Sequence, residues 1–312
     1  MSPEREHALA SEWVSARPTA WREVLLRVVR LPWLVAEHWD LVRTTLKRDI
    51  AARFQGTLFG WAWPVFQPLI LFGIYFFIFT ELIPQKLGEL PEEMKAGMGV
   101  YMFSAMLAWS ALSESLSRGT NVIVDNGNLI KKLVFPSELL PLNVVLASLT
   151  VMLFGLTIFV LATVLTPVWA APGWALLLAP AILVVQGVFI YGLVLFLATL
   201  QVFLRDTAQI VGMVVTVWMF LTPIFWVPDL LGASLDPYRP IIENNPAYHM
   251  VSAWRGALMG DVITKHGADV IEPVLVARIP GHLAIFALWA LASYALGYAF
   301  FTFSQRRFAD EV

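Results

Sequence analysis

Six long apolar runs dominate the chain, at about 58–80, 99–117, 141–166, 174–201, 208–227 and 283–304. They hold 19 to 28 residues, enough for the helix of about 20 residues needed to cross a hydrocarbon layer of about 30 Å. Short polar loops separate most of them, and one long segment, 228–282, precedes the last. Upstream of the first run, Val42, Leu46, Ile50 and Phe54 recur every four residues, while Arg43, Lys47, Arg48 and Arg53 occupy other faces. That spacing predicts an amphipathic helix with a basic polar side, lying in the membrane interface. The stretch LKRDIAARFQGTLFGWAWPVFQPLI, residues 46–70, therefore changes solvent midway, with GTLFG turning the chain into the first run. Pro64 and Pro68 interrupt that run. In lipid, a carbonyl freed by proline needs a neighbouring helix or a wet cavity, so the first run either carries an ordinary kink or borders a pathway.

Composition agrees with the runs. The 312 residues are 58% hydrophobic and 14% charged, against about 25% charged in soluble domains. The expected fold is all-α: a polytopic membrane protein with six transmembrane helices. Two domains are expected, interfacial helices over 1–56 and a six-span unit over 57–312. Trp21 to Trp39 reads as additional interfacial helix with a break at Pro32. The charged N-terminal stretch lacks the apolar core of a cleaved signal peptide. A net charge of -2 gives no reason to expect a nucleic-acid partner.

All 21 Lys and Arg, and all of the 23 acids except Glu114, fall outside the runs. Near the run ends, one side holds Arg43, Lys47, Arg48, Arg53, Arg118, Lys131, Lys132, Arg205, Arg306 and Arg307. The other side holds Lys86, Lys95, Arg239, Lys265 and Arg278. The positive-inside rule then puts both termini in the cytoplasm.

Absences narrow the function. Ion-driven transporters keep ionisable groups within their spans, and only Glu114 qualifies, near a cytoplasmic end. No catalytic constellation or metal-ligand set is apparent; with no cysteine, disulfides and thiolate sites are excluded. His249 and His266 are not spaced as ligands and read as surface histidines. The sequence has no phosphate-binding loop, so an ATP-driven transporter would need its ATPase on another polypeptide. A docking element for it is offered by SRGTNVIVDNGNLIKKLVFPSELLPLN, the loop between the second and third runs. It has a turn signal at DNGN, then Asn128, Leu129, Ile130, Lys131, Lys132, Leu133, Val134 and Phe135 as an apolar and basic run. A solvated loop with a short interfacial helix is the alternative. Ser137 reads as a cap of the next helix.

Four stretches carry a resemblance: RDIAARFQGTLFGWAWPVFQPLI (48–70), NLIKKLVFPSELLPL (128–142), QVFLRDTAQIVGMVVTVWMFLTPIFW (201–226) and NPAYHMVSAWRGALMGD (245–261). In that order, the chain from about residue 40 onward resembles the membrane subunit of type-2 ABC exporters for polysaccharides. These are the Wzm-like permeases of O-antigen, teichoic acid and capsule export. The resemblance implies a permease dimer in the bacterial inner membrane with two copies of a separate ATPase, which holds ATP and Mg, and no cofactor on this chain. It implies that Asn128–Phe135 form the coupling helix on the ATPase, with Arg205 and Asp206 nearby; these are expected to pair with Arg48 and Asp49. It also implies short outward gate helices between spans five and six. Asn245-Pro246 suits such a helix start, with Tyr248, Met250 and Trp254 as gate residues and one apolar stripe facing the membrane. A lipid-linked polysaccharide is the implied cargo. A drug or small lipid amphiphile is the alternative.

Sugar rings rest their apolar faces on aromatic side chains. Trp63, Phe66 and Tyr75 of the first span, with Trp218 and Phe220 of the fifth, are the candidates to line the path. Aromatic residues also gather at membrane interfaces without any such role.

Overall fold

The computed structural model describes residues 33–78, 92–132, 136–165, 172–228, 235–259 and 274–311, and among these the chain is helical without strands. Helix α1 is Trp39–Phe54 and α2 is Trp63–Phe77. Between them the chain turns through Gly56 and Gly60, at φ 77° and 49°. Only glycine takes these left-handed values without steric cost, which is why GTLFG makes the turn. Next come α3, Glu92–Asp125, the six-residue α4, Gly127–Lys132, and α5, Leu139–Leu165. A 3-10 turn, Trp174–Leu178, leads into α6, Ala179–Phe203, followed by α7, Thr207–Leu221. The short α8, Arg239–Glu243, precedes α9, Pro246–Met259. Helix α10, Val274–Ser304, passes through a 3-10 turn, Gln305–Arg307, into α11, Phe308–Glu311.

This is a multi-pass membrane protein. Three helical stretches are long and apolar enough to cross a bilayer: Leu139–Leu165, Trp174–Phe203 and Arg278–Ser304. Helix α3, at 34 residues, extends about 51 Å, well beyond the apolar run seen in the sequence. The segment from Arg118 to Asp125, expected as loop, is helix. Gly119 does not end α3, because a side chain there would strike Val194 of α6; the glycine serves close packing. The break comes at the DNGN turn, where Asn126 Nδ2 donates to the Val122 carbonyl at 2.8 Å. The fifth run is also shorter as helix than as pattern. Pro223 pushes Thr222 into the extended region (φ -89°, ψ 134°), so α7 has 15 residues, about 22 Å of helix.

Helix α6 packs along α10 and α3, α5 lies against α3, and α9 sits against α10 and α3. The α6–α10 contact is close enough that a side chain on Gly297 would fall on the Gly192 carbonyl. Without a hydrophobic driving force between helices in lipid, such small-residue contact lets backbones approach and gain dispersion energy. Residues 1–32, which include most of the expected extra interfacial helix, lie outside the described residues.

Candidate coupling end and gate helix

Helix α11 packs against α4 and α6, and α4 follows directly on the end of α3. In α4, Asn128 and Lys131 are exposed, whereas Leu129 and Ile130 pack against the core. Leu133, Val134 and Phe135 lie outside the described residues, as does the side chain of Lys132. Arg205 and Asp206 are exposed in the α6–α7 turn. That turn is closed by Gln201, which donates to the Arg205 carbonyl at 3.2 Å and accepts from the Ala208 amide at 2.8 Å. The expected pairing of Arg205 and Asp206 with Arg48 and Asp49 is not made. The ion pairs among the described residues are Arg53–Glu114, Arg118–Glu114 and Arg239–Asp236.

Helix α1 forms where the four-residue spacing predicts it, and Val42 and Ile50 are buried with α5 as the packing partner. Arg43, Lys47 and Arg48 are exposed. Arg53 parts from them, with its side chain only 6% exposed. Its guanidinium donates to Glu114 at 2.5 Å and to Ser148 Oγ at 3.4 Å, and Arg118 approaches Glu114 at 3.6 Å. Burial lowers the Arg53 pKa from its ordinary value, and the Glu114 charge opposes that shift. The single acid within the apolar runs thus has a basic partner from α1, a pairing that clamps α1 to α3 and α5.

At the other end of α10, α9 begins as Asn245-Pro246 predicts. Asn245 Oδ1 accepts from the Ala247 amide at 3.0 Å, a helix cap. It also accepts from Trp218 Nε1 at 2.8 Å, and its amide donates to Thr222 Oγ1 at 3.0 Å. The expected single apolar stripe is not what α9 presents. Every residue from His249 to Met259 is buried, so the helix is an internal element of the bundle. Met250 and Trp254 are fully covered and Tyr248 is half-buried. Trp254 Nε1 donates to Gln186 Oε1 at 2.7 Å, and Gln186 Nε2 donates to the Ala108 carbonyl at 3.0 Å. Arg255 is buried as well and lies 3.4 Å from the centre of the Tyr101 ring. It donates to the carbonyls of Tyr101, at 3.3 Å, and Ile224, at 3.2 Å.

His249 is not a surface histidine. Its Nε2 meets the Glu243 carbonyl at 2.7 Å, and its Nδ1 meets His282 Nδ1 at 2.9 Å. A carbonyl only accepts, so Nε2 carries the proton; Nδ1 of the neutral ring then accepts from His282. Burial lowers the His249 pKa from its ordinary value, against the opposing influence of Glu243. His266 lies outside the described residues.

The five path aromatics separate. Phe66 and Phe220 are exposed, at 41% and 61%. Trp63 is half-buried and edge-on to Phe59. Trp218 is half-buried, edge-on to Trp109 at 5.7 Å and Phe189 at 6.5 Å, and its indole is held by Asn245. The side chain of Tyr75 lies outside those described. Sequence reasoning missed Gln186, although an amide in the middle of an apolar run was its available signal. It also missed Phe308 and His282 as contact residues, because nothing in the linear pattern marks them.

These features define a helical, multi-pass membrane protein. A model of the family "ABC-2 type transporter" matches residues 40–259, more than half of the chain, and the chain belongs to that family. Its curated relatives include the O-antigen export system permease protein RfbA of Myxococcus xanthus. That protein is 24% identical over 270 residues, which are 85% of this chain and 95% of its own length. Two proteins of the same name from Klebsiella pneumoniae are 23% and 24% identical over 78% and 75% of this chain.

Proposed function

We propose that this chain is the permease subunit of an ATP-driven exporter that moves lipid-linked, O-antigen-like polysaccharide across the bacterial inner membrane. It works as a homodimer with two copies of a separate ABC ATPase, which bring ATP and Mg. The observation that carries the reading is the similarity to three O-antigen export permeases over 75–85% of the chain. The geometry supports it. In this reading α2, α3, α5, α6, α7 and α10 are the six crossings, with both termini cytoplasmic; among the described residues three helical stretches are long and apolar enough to cross a bilayer. Helix α4 presents Asn128 and Lys131 outward while Leu129 and Ile130 seat it in the bundle, the arrangement expected of an element on which an ATPase bears. Arg43, Lys47 and Arg48 face the anionic surface of the inner leaflet. The exposed aromatics Phe66 and Phe220 face the polymer path between two copies.

Depletion of the chain in its host tests the reading. Long-chain, lipid-linked glycan accumulates inside the inner membrane and surface glycan is lost. Unchanged surface glycan overturns the polysaccharide assignment and favours a small lipid amphiphile as cargo.

A further inference from the structure

A six-residue helix cannot hold its own orientation, since isolated helices below about 12 residues are marginal in water. Helix α4 therefore takes its direction from what it touches. Two contacts are local: Leu129 and Ile130 lie on the core, and α4 meets the end of α3. The third comes from the far end of the sequence. Helix α11 packs against α4 and α6, and Phe308 at its start is fully buried, edge-on to Phe301 of α10 at 5.2 Å between centroids. One turn earlier, Gln305 Nε2 donates to Ser137 Oγ at 2.8 Å. Ser137 is the fully covered residue that joins the α4 side of the chain to α5. Segment 305–311 thus braces α4 from one side and the start of α5 from the other, and its anchor is the ring packed on α10.

We infer that Phe308 and Gln305 are positioning residues. They hold the ATPase-contacting helix α4 at a fixed angle to α10, so that force applied at α4 reaches the bundle. Helix α10 is the element best placed to carry that force. It packs along α6 and α9, and its other end holds His249 of α9 through His282. The inference rests on the coupling role proposed for α4. The segment itself contacts no cargo in this assignment. Its effect is on the transport obtained per ATP hydrolysed.

The test uses the full permease–ATPase complex, with Phe308→Ala, Phe308→Leu and Gln305→Ala replacing the native chain in the host. Three quantities are read: surface glycan, the amount of complex recovered from membranes, and ATP hydrolysis per purified complex. Phe308→Ala is expected to lower glycan export by about tenfold, within the usual range for coupling between two sites, with complex yield and hydrolysis retained. Phe308→Leu, which refills the space without the ring, restores export. Gln305→Ala, which removes one hydrogen bond and leaves the fold intact, shows a smaller loss in the same direction. Normal export in both alanine variants overturns the inference, as does a parallel fall in yield, hydrolysis and export. Lys131→Glu and Asn128→Trp on the outward side of α4 separate the two levels. If they leave ATPase association and export intact, the coupling role of α4 falls, and the inference with it. If they uncouple while Phe308→Ala does not, only the bracing role falls.

Discussion

Helices α1 and α9 carry the same kind of pattern, apolar residues every third or fourth position with basic residues between, yet the fold treats them differently. Helix α1 buries Val42 and Ile50 and leaves Arg43, Lys47 and Arg48 in contact with solvent. Helix α9 is covered on every side, its Arg255 included. The difference lies in the supply of fixed partners. Around α9, the Gln186 side chain and two backbone carbonyls accept from Trp254 and Arg255, and the Tyr101 ring lies under the guanidinium. A buried polar group stays buried when its hydrogen bonds are met. Around α1, Arg53 is the basic residue that finds such partners among the described residues, and it is the one drawn in.

The largest expected loss is at Trp254. Replacing it with alanine removes a fully buried ring and strands the Gln186 carbonyl, a loss of about 3–5 kcal/mol. Leu46→Ala on the half-buried side of α1 is expected to cost far less. Thermal unfolding of the purified permease in detergent compares the two, and equal costs would show that α9 is no better fastened than α1. Next in size is the Arg53 clamp. Glu114→Ala removes a charge-assisted bond worth about 1–3 kcal/mol, the lower part of that range being expected because Glu114 is one-third exposed. A double-mutant cycle with Arg53→Ala checks it: additive losses would mean that the pair does not hold α1.

A smaller effect follows from His249. Its folded-state pKa lies below the ordinary value, so the unfolded chain binds the proton first as pH falls. Stability is therefore fully present above the unfolded pKa of about 6.5 and declines below it, towards the lower folded pKa. His282 of α10, with Arg278 of the same helix acting on it, and Tyr248 are the groups facing that ring; the Glu243 carbonyl accepts its proton. Unfolding midpoints from pH 7.5 to 5 are expected to fall for the native chain and to fall less steeply in His249→Gln, in which His282 remains. The smallest change belongs to the exposed side of α1. Lys47→Ala is expected to stay within about 0.5 kcal/mol in the same assay, and a larger loss would reveal a further cover over that face.

Much of the architecture was legible in the linear pattern. The start of α9 at Asn245-Pro246, the GTLFG turn and the lone acid Glu114 were each marked by residue chemistry that acts locally. The lengths of α3 and α7 were not. Gly119 lies inside α3 with Val194 of α6 against it, and Thr222–Pro223 ends α7 inside an apolar run. Trp218 shows the same limit for the path: its character suits a sugar ring, but its indole proton is already taken by Asn245.

By itself, then, the sequence determined that the chain is helical, lives in a membrane, and has short-range turns and caps where glycine, proline and asparagine stand. Those features depend on neighbours within a few residues. Tertiary structure alone decided which polar side chains were buried, that Arg53 met Glu114 across 61 positions, and that Gln305 met Ser137 across 168. Such pairings depend on which helices lie side by side, and helical periodicity specifies a face without specifying what covers it.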